Sequence, residues 1–284
     1  MSNSLINLGE LSKPAVVLIE KISEGVGGIF KPYQLKRVAE AEAEAEKIKA
    51  RAQIEITDLH ERAIHRWIEE EAKRQENMED ITAKALPQVN EKANPDAMDD
   101  DWITNFFDKC RIISDSEMQI LWSQVLAGEA NVPGTYSKRT VNLLSELDKS
   151  DAELFTQLCR FGWMIRDVVP LVFDIQAEIY NRYGINFNTM SHLDSIGLVQ
   201  FQGLTGISEL NLPKRFTVHY YGKPLHLEMT EETDNKLRIG NTLLTKNGQE
   251  LAPICGSKPV DGFYEYVKEQ WKAYLPQPEN IEQN

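Results

Sequence analysis

Between Tyr33 and Ala85 the sequence carries the pattern of one long helix. The stretch KRVAEAEAEAEKIKARAQIEI contains neither Gly nor Pro and is dominated by Ala, Glu, Lys and Arg, residues that lose little on entering a helix. Leu35, Val38, Ala41, Ala45, Ile48, Ala52, Ile56, Leu59, Ala63 and Trp67 recur at alternating steps of three and four. That near-heptad stripe requires a coiled-coil or hairpin partner. Its Ala-rich first half packs closely but buries little area per residue, so the helix is expected to need company, either another copy or the rest of the chain. Pro87, Asn94 and Pro95, with the acidic run Asp99–Asp101, end it and form a linker.

Around this helix the pattern predicts a mainly α chain with a small α+β part, in five segments: 1–32, 33–100, 101–170, 171–275 and a loose polar tail, 276–284. In the first, Ser12 is placed to cap a helix that starts with Pro14 in its first turn. Ala15, Leu18, Ile19, Ile22, Val26 and Ile29 share one face of it. Gly25, Gly27 and Gly28 stand where a stable helix would carry Ala or Leu, which suits bending or close approach of a second helix. Segment 101–170 reads as a compact helical unit. Its expected caps are Asp101, Ser114 (with Glu117), Ser137 and Ser150 (with Glu153), and LFTQLCRFGWMI is read as helix. Its expected core is Trp122, Val125, Leu126, Val141, Leu144, Leu147, Leu154 and Leu158. Segment 171–275 mixes the helical texts FDIQAEIYNRYG and NTMSHLDSIG with the strand texts LVQFQ, FTVHYYG, PLHLEM and KLRIGNTLL. A hairpin turn is placed at Gly222–Lys223, a cap at Thr245, and GFYEYVKEQWKAYL closes the chain as helix. Two helices, a short strand and a hairpin suggest a winged-helix-like domain.

Chemistry is hard to find in this text. With 42% apolar and 26% charged residues the chain is expected to fold rather than stay disordered. A net charge of −13 opposes broad nucleic-acid binding, and NTMSHLDSIG, in the position of a reader helix, has no Lys or Arg. Cys110, Cys159 and Cys255 are far apart in sequence and read as buried small hydrophobes of a reducing compartment. His60 and His65 are not at the i, i+4 spacing of a helical zinc pair. His192 and Asp194 lack a nucleophile on a sharp turn. Asp99–Asp101 lacks the Gly and terminal Glu of a calcium loop, and Glu69, Glu70 and Glu71 point around their helix. No enzyme, metal or cofactor is expected. With no signal peptide and no run of apolar residues long enough to span a bilayer, a cytoplasmic location is expected.

The block LWSQVLAGEANVPGTYSKRTVNLLSELDKSDAELFTQLCRF resembles a widespread bacterial family of unknown function. KPAVVLIEKISEGVGGIFKPYQLKRVAEAEAEA is similar both to that family and to the opening of the Abi-alpha abortive-infection proteins, and HLDSIGLV and LLTKNGQELAPICG look like the family's tail. The resemblance implies defence against bacteriophage and transfers no catalytic residue. The expectation is an antiphage effector that senses a phage component, self-associates and perturbs the inner membrane. Leu18, Ile19, Ile22, Val26, Ile29 and Phe30 would enter the bilayer, Gly25, Gly27 and Gly28 would permit close packing, and Lys31, Lys36 and Arg37 would meet headgroups. Two alternatives stand beside it. The N-terminal apolar face could be permanent core, and the chain could be a scaffold or nucleic-acid-associated regulator with a winged-helix-like domain.

Overall fold

The computed structural model of the chain describes residues 11–27, 58–203 and 206–276. The expected helix over 33–57, with its stripe from Leu35 to Ile56, lies outside them, as does the tail beyond Pro276. Within the described residues the chain is mainly helical with a smaller β part, and it divides into two compact units, one ending at Ser145 and the other beginning at Glu146.

The described residues of the first unit form helices and no strand. Helix α1 (Lys13–Val26) starts where expected: Ser12 is extended and its hydroxyl accepts from the Ala15 N–H at 3.3 Å. Helix α2 (Asp58–Ala85) follows, then α3 (Asp100–Cys110), α4 (Ser116–Asn131) and α5 (Lys138–Glu146). Trp122, Val125, Leu126, Val141 and Leu144 form the core as expected, joined by Ile81, Trp102, Ile103, Phe106 and Phe107. Phe106 sits 5.1 Å from both Trp102 and Trp122, stacked on the first and edge-on to the second, geometries that add to the area such rings bury.

Two caps of this unit differ from the expectation. Asp99, not Asp101, caps α3 and accepts from Trp102 N at 2.7 Å, and Asp115, not Ser114, caps α4. In each case the neighbouring side chain offers similar chemistry, and tertiary packing selects the register, because Trp102, Ile103 and Met118 must turn inward.

The second unit takes α6 (Lys149–Cys159), which the sequence places with the helices before it. Asp148 and Asp151, not Ser150 and Glu153, form its capping box. This earlier start turns Phe155 and Leu158 into the core and leaves Leu154 half-buried; Leu147 is also half-buried. The helix ends at Cys159, and Gly162–Met164, expected as helix, is strand β1, paired antiparallel with β2 (Val168–Pro170). Trp163 decides the matter. It is fully buried between Tyr220, Tyr264 and Trp271, at 5.2, 5.5 and 5.6 Å.

Helices α7 (Glu178–Asn181) and α8 (Phe187–Ser195) precede six strands whose pairing is concentric. The outermost pair, β3 (Val199–Phe201) and β8 (Thr242–Leu244), encloses β4 (Ile207–Leu212) and β7 (Asn235–Gly240). These in turn enclose β5 (Arg215–Tyr220) and β6 (Lys223–Glu228). The turn is Tyr221–Gly222, one residue before the position expected, and both residues have positive φ, 46° and 81°, as a two-residue hairpin requires. The β5–β6 hairpin does not stand alone but joins β1 and β2 in a four-stranded sheet ordered β2-β1-β5-β6. Helix α9 (Lys246–Leu251) is capped by Thr245 as expected, and α10 (Phe263–Gln270) follows.

Candidate functional site

The residues expected to act on a membrane are divided by the structure. Leu18 and Ile22 are fully buried and Ile19 nearly so, while Val26, the last residue of α1, is half-buried. They pack α1 onto α3 and the turn Pro95–Ala97. Within the fold, a Cβ built on Gly25 would stand 3.0 Å from Ile103 Cγ2. Gly27 plays a different part, ending the helix in the left-handed conformation at φ 82° while its N–H donates to Ser23 O. Lys21 pairs with Asp100 at 2.5 Å across the same contact. Gly28, Ile29, Phe30, Lys31, Lys36 and Arg37 lie outside the described residues.

Helix α2 behaves in the opposite way. Its second half packs on α4, burying Asn77, Met78, Ile81, Thr82 and Ala85. Asn77 Nδ2 donates to Arg111 O at 2.9 Å, so the polar member of that face is satisfied. About five helical turns upstream, on the same face, stand Leu59, Ala63, Ile64 and Trp67. Leu59 lines up with Asn77, Ala63 with Ile81, Ile64 with Thr82 and Trp67 with Ala85. Yet Leu59 is 64% exposed, Ile64 47%, Trp67 58% and the adjoining Ile68 56%. The flanks carry charges of both signs, with Arg62 paired to Asp58, Arg66 to Glu70 at 3.7 Å and Arg74 to Glu71 at 3.4 Å. One face thus begins as an apolar surface in solvent and ends as core. The heptad stripe identified Leu59, Ala63 and Trp67. It passed over Ile64 and Ile68, which their own i, i+4 spacing would have marked.

The block that carries the family resemblance has a structural explanation. The nearly buried Glu129 carboxylate accepts from Gly134 N at 2.6 Å and Tyr136 N at 2.8 Å, folding the NVPGTYS loop back on α4. Gly128 leaves room for the Tyr136 ring, which a Cβ would meet at 2.6 Å. Tyr136 O accepts from Trp102 Nε1 at 2.7 Å, and the Ser137 hydroxyl accepts from Thr140 N at the start of α5. These residues lock the platform on which α1 lies.

The other candidates resolve into surface and capping roles. Asp99 and Asp101 meet Lys138 at 3.3 and 3.5 Å, and Asp100 meets Lys21. The Trp102 N–H, and then Lys138, hold the Asp99 carboxyl below its usual range. His60 and His65 are exposed, with His65 3.5 Å from Glu69. His192 meets Asp151 at 2.7 Å, while Asp194 accepts from Phe201 N and Ser195 donates to His192 O, so His192 and Asp194 do not act on a common group. Among the described residues no three His, Cys, Asp or Glu side chains are grouped to hold a metal ion, and no helix is long and apolar enough to cross a membrane. The two cysteines Cys159 and Cys255, read as isolated, are brought together in the second unit.

No curated protein and no solved structure matches the chain. The family described as "Protein of unknown function (DUF2806)" matches residues 61–268, from the exposed half of α2 to the end of α10. The chain therefore belongs to that family.

Proposed function

We propose that this chain works by assembly rather than by catalysis, and that the exposed half of α2 is the surface through which copies join. The observation that carries this reading is the continuity of one helix face from core into solvent. The occupant that fits it is a second copy of the same helix. The heptad stripe continues in sequence from Leu59 back to Leu35, and the mixed charges on its flanks can complement themselves across two like helices. Light scattering on the full chain tests it. Assembly is expected to depend on concentration and to be abolished by Leu59→Glu together with Trp67→Glu. A wild-type chain that stays monomeric at every concentration rejects the reading.

The setting we propose is abortive infection, in which an assembled effector disturbs the inner membrane after a phage component is sensed. The similarity of the N-terminal text to Abi-alpha proteins supports it. So does the one-sided packing of α1, which rests on α3 and the Pro95–Ala97 turn. A helix docked on one face can be released without dismantling the core behind it. On release, Leu18, Ile19 and Ile22 become available to a bilayer, each aliphatic side chain contributing roughly 1.5–3 kcal/mol on burial. Leakage from anionic vesicles, and phage plaque counts on cells expressing the wild type or the assembly-deficient variant, test this. Protection that survives loss of assembly rejects it.

The scaffold alternative rests on the second unit, where α6, β2, α7, α8, β3 and β8 come in the order of a winged helix, with β1 inserted before β2 and β4–β7 between β3 and β8. We give nucleic acid little part in it, because α8 offers no Lys or Arg and its His192 is engaged by Asp151.

A further inference from the structure

Cys159 closes α6, and Cys255 follows the 3₁₀ turn Ala252–Ile254 after α9. Far apart in sequence, the two side chains are neighbours that act on each other electrostatically, and the Cys255 thiol donates to Ala252 O at 3.1 Å. The backbone around them is held by other bonds. Thr156 Oγ1 donates to Cys255 O at 3.2 Å, and Tyr221 Oη donates to Cys159 O at 3.3 Å and bonds Ser257 Oγ at 2.6 Å. Arg160 Nε donates to Lys258 O at 3.1 Å. These bonds hold the two segments side by side, so the approach of the two cysteines does not depend on their thiols alone.

The two thiols are unequal. The hydrogen bond from Cys159 pulls the Cys255 thiol down to about 7; burial opposes it, and the Ser257 N–H, the Ser257 hydroxyl and the Thr156 hydroxyl assist. Burial pushes the Cys159 thiol well up. The titratable neighbours are the Tyr221 hydroxyl, itself raised by burial, and beside it the Arg160 guanidinium. Cys255 is half-buried and Cys159 buried. A half-buried cysteine with a lowered thiol beside a buried one with a raised thiol has the division of labour of an attacking and a resolving cysteine.

We propose that Cys255 and Cys159 form a peroxide-reactive dithiol that closes to a reversible disulfide, pinning the end of α6 to the segment after α9. In the first step the Cys255 thiolate attacks one oxygen of a hydroperoxide. The S–O bond forms as the O–O bond breaks, giving Cys255 sulfenic acid and hydroxide or alkoxide. In the second the Cys159 sulfur attacks the Cys255 sulfur. The S–S bond forms as the S–O bond breaks, and the thiol proton leaves with hydroxide as water. Two electrons have passed from the two sulfurs to the peroxide. An external dithiol reverses the change.

The test uses the reduced full chain treated with equimolar hydrogen peroxide and then denatured for thiol counting and peptide mapping. Free thiols are expected to fall from three to one per chain, with a Cys159–Cys255 linked peptide that dithiothreitol removes. Cys159→Ser should leave Cys255 as a sulfenic acid that dimedone traps. Cys110→Ser should still lose both remaining thiols. Three thiols surviving in the wild type, or Cys110 appearing in the linked peptide, overturns the proposal, and the wild-type measurement decides it even where a variant fails to fold.

Discussion

Helix α1 and the first half of α2 carry the same kind of apolar face and meet opposite fates. Leu18 and Ile22 are shut away from solvent, whereas Leu59 and Trp67 stand in it. Composition does not separate the two faces. Length does. Helix α1 has 14 residues, and the platform formed by α3 and the Pro95–Ala97 turn covers its apolar face. The described part of helix α2 alone has 28 residues against the 16 of its partner α4, about 42 Å against about 24 Å of axis. A helix that outruns its partner keeps its amphipathic pattern and loses its cover. The lesson is that periodicity tells which way a helix faces, and only the dimensions of its neighbours tell what it faces.

Four substitutions sharpen this contrast, and their expected effects on stability descend. Ile22→Asp, which sets a carboxylate in the contact between α1 and α3, should cost about 3–5 kcal/mol of the stability that this contact supplies; a calorimetric scan close to wild type would mean that α1 is not core. Glu129→Ala should cost about 2–3 kcal/mol, because the Gly134 and Tyr136 N–H groups lose their acceptor. Urea titration reads that loss directly, and it tests whether the platform depends on the loop. For Gly25→Leu the overpacking against Ile103, roughly 1–3 kcal/mol, is partly offset by about 1 kcal/mol of better helix propensity. A small net loss is expected, and a gain in thermal midpoint would show that the close approach is not needed. Trp67→Glu should move stability by less than about 0.5 kcal/mol, as surface changes do, while weakening assembly. Equal losses for Trp67→Glu and Ile22→Asp in the same urea titration would erase the distinction between the two faces.

Many helix starts were legible in the sequence because capping is local. Ser12, Ser137 and Thr245 lie just ahead of periodic runs, and each caps the helix it precedes. The missed caps, at α3, α4 and α6, fall where several capping residues stand close together, so local chemistry could not choose between them and burial of Trp102, Met118 and Phe155 did. The strand at Gly162–Met164 was hidden for another reason. The run LCRFGWMI is apolar apart from Arg160 and shows neither a period of two nor one of 3.6. Its state is set by Val169 across the pair and by the rings around Trp163. In the candidate sites, Leu59, Ala63 and Trp67 were readable as a stripe but not as an exposed one. The meeting of Cys159 with Cys255 leaves no local trace at all, because it depends on how α6 and the segment after α9 return to each other.

The concentric strands of the second unit have a kinetic consequence. Each pair encloses the next, so the chain need never close the whole span from Val199 to Leu244 in one step. The Tyr221–Gly222 turn brings β5 to β6 with almost no loop to order. That pair shortens the span that β4 and β7 must close, and they in turn shorten the span for β3 and β8. Since the entropy of closure grows with the length of free chain, ordering from the turn outward divides one long-range search into three short ones. The three pairs are therefore expected to close in turn like a zip started at its tip, and pulse-labelled hydrogen exchange during refolding should protect the β5–β6 amides before those of β3 and β8.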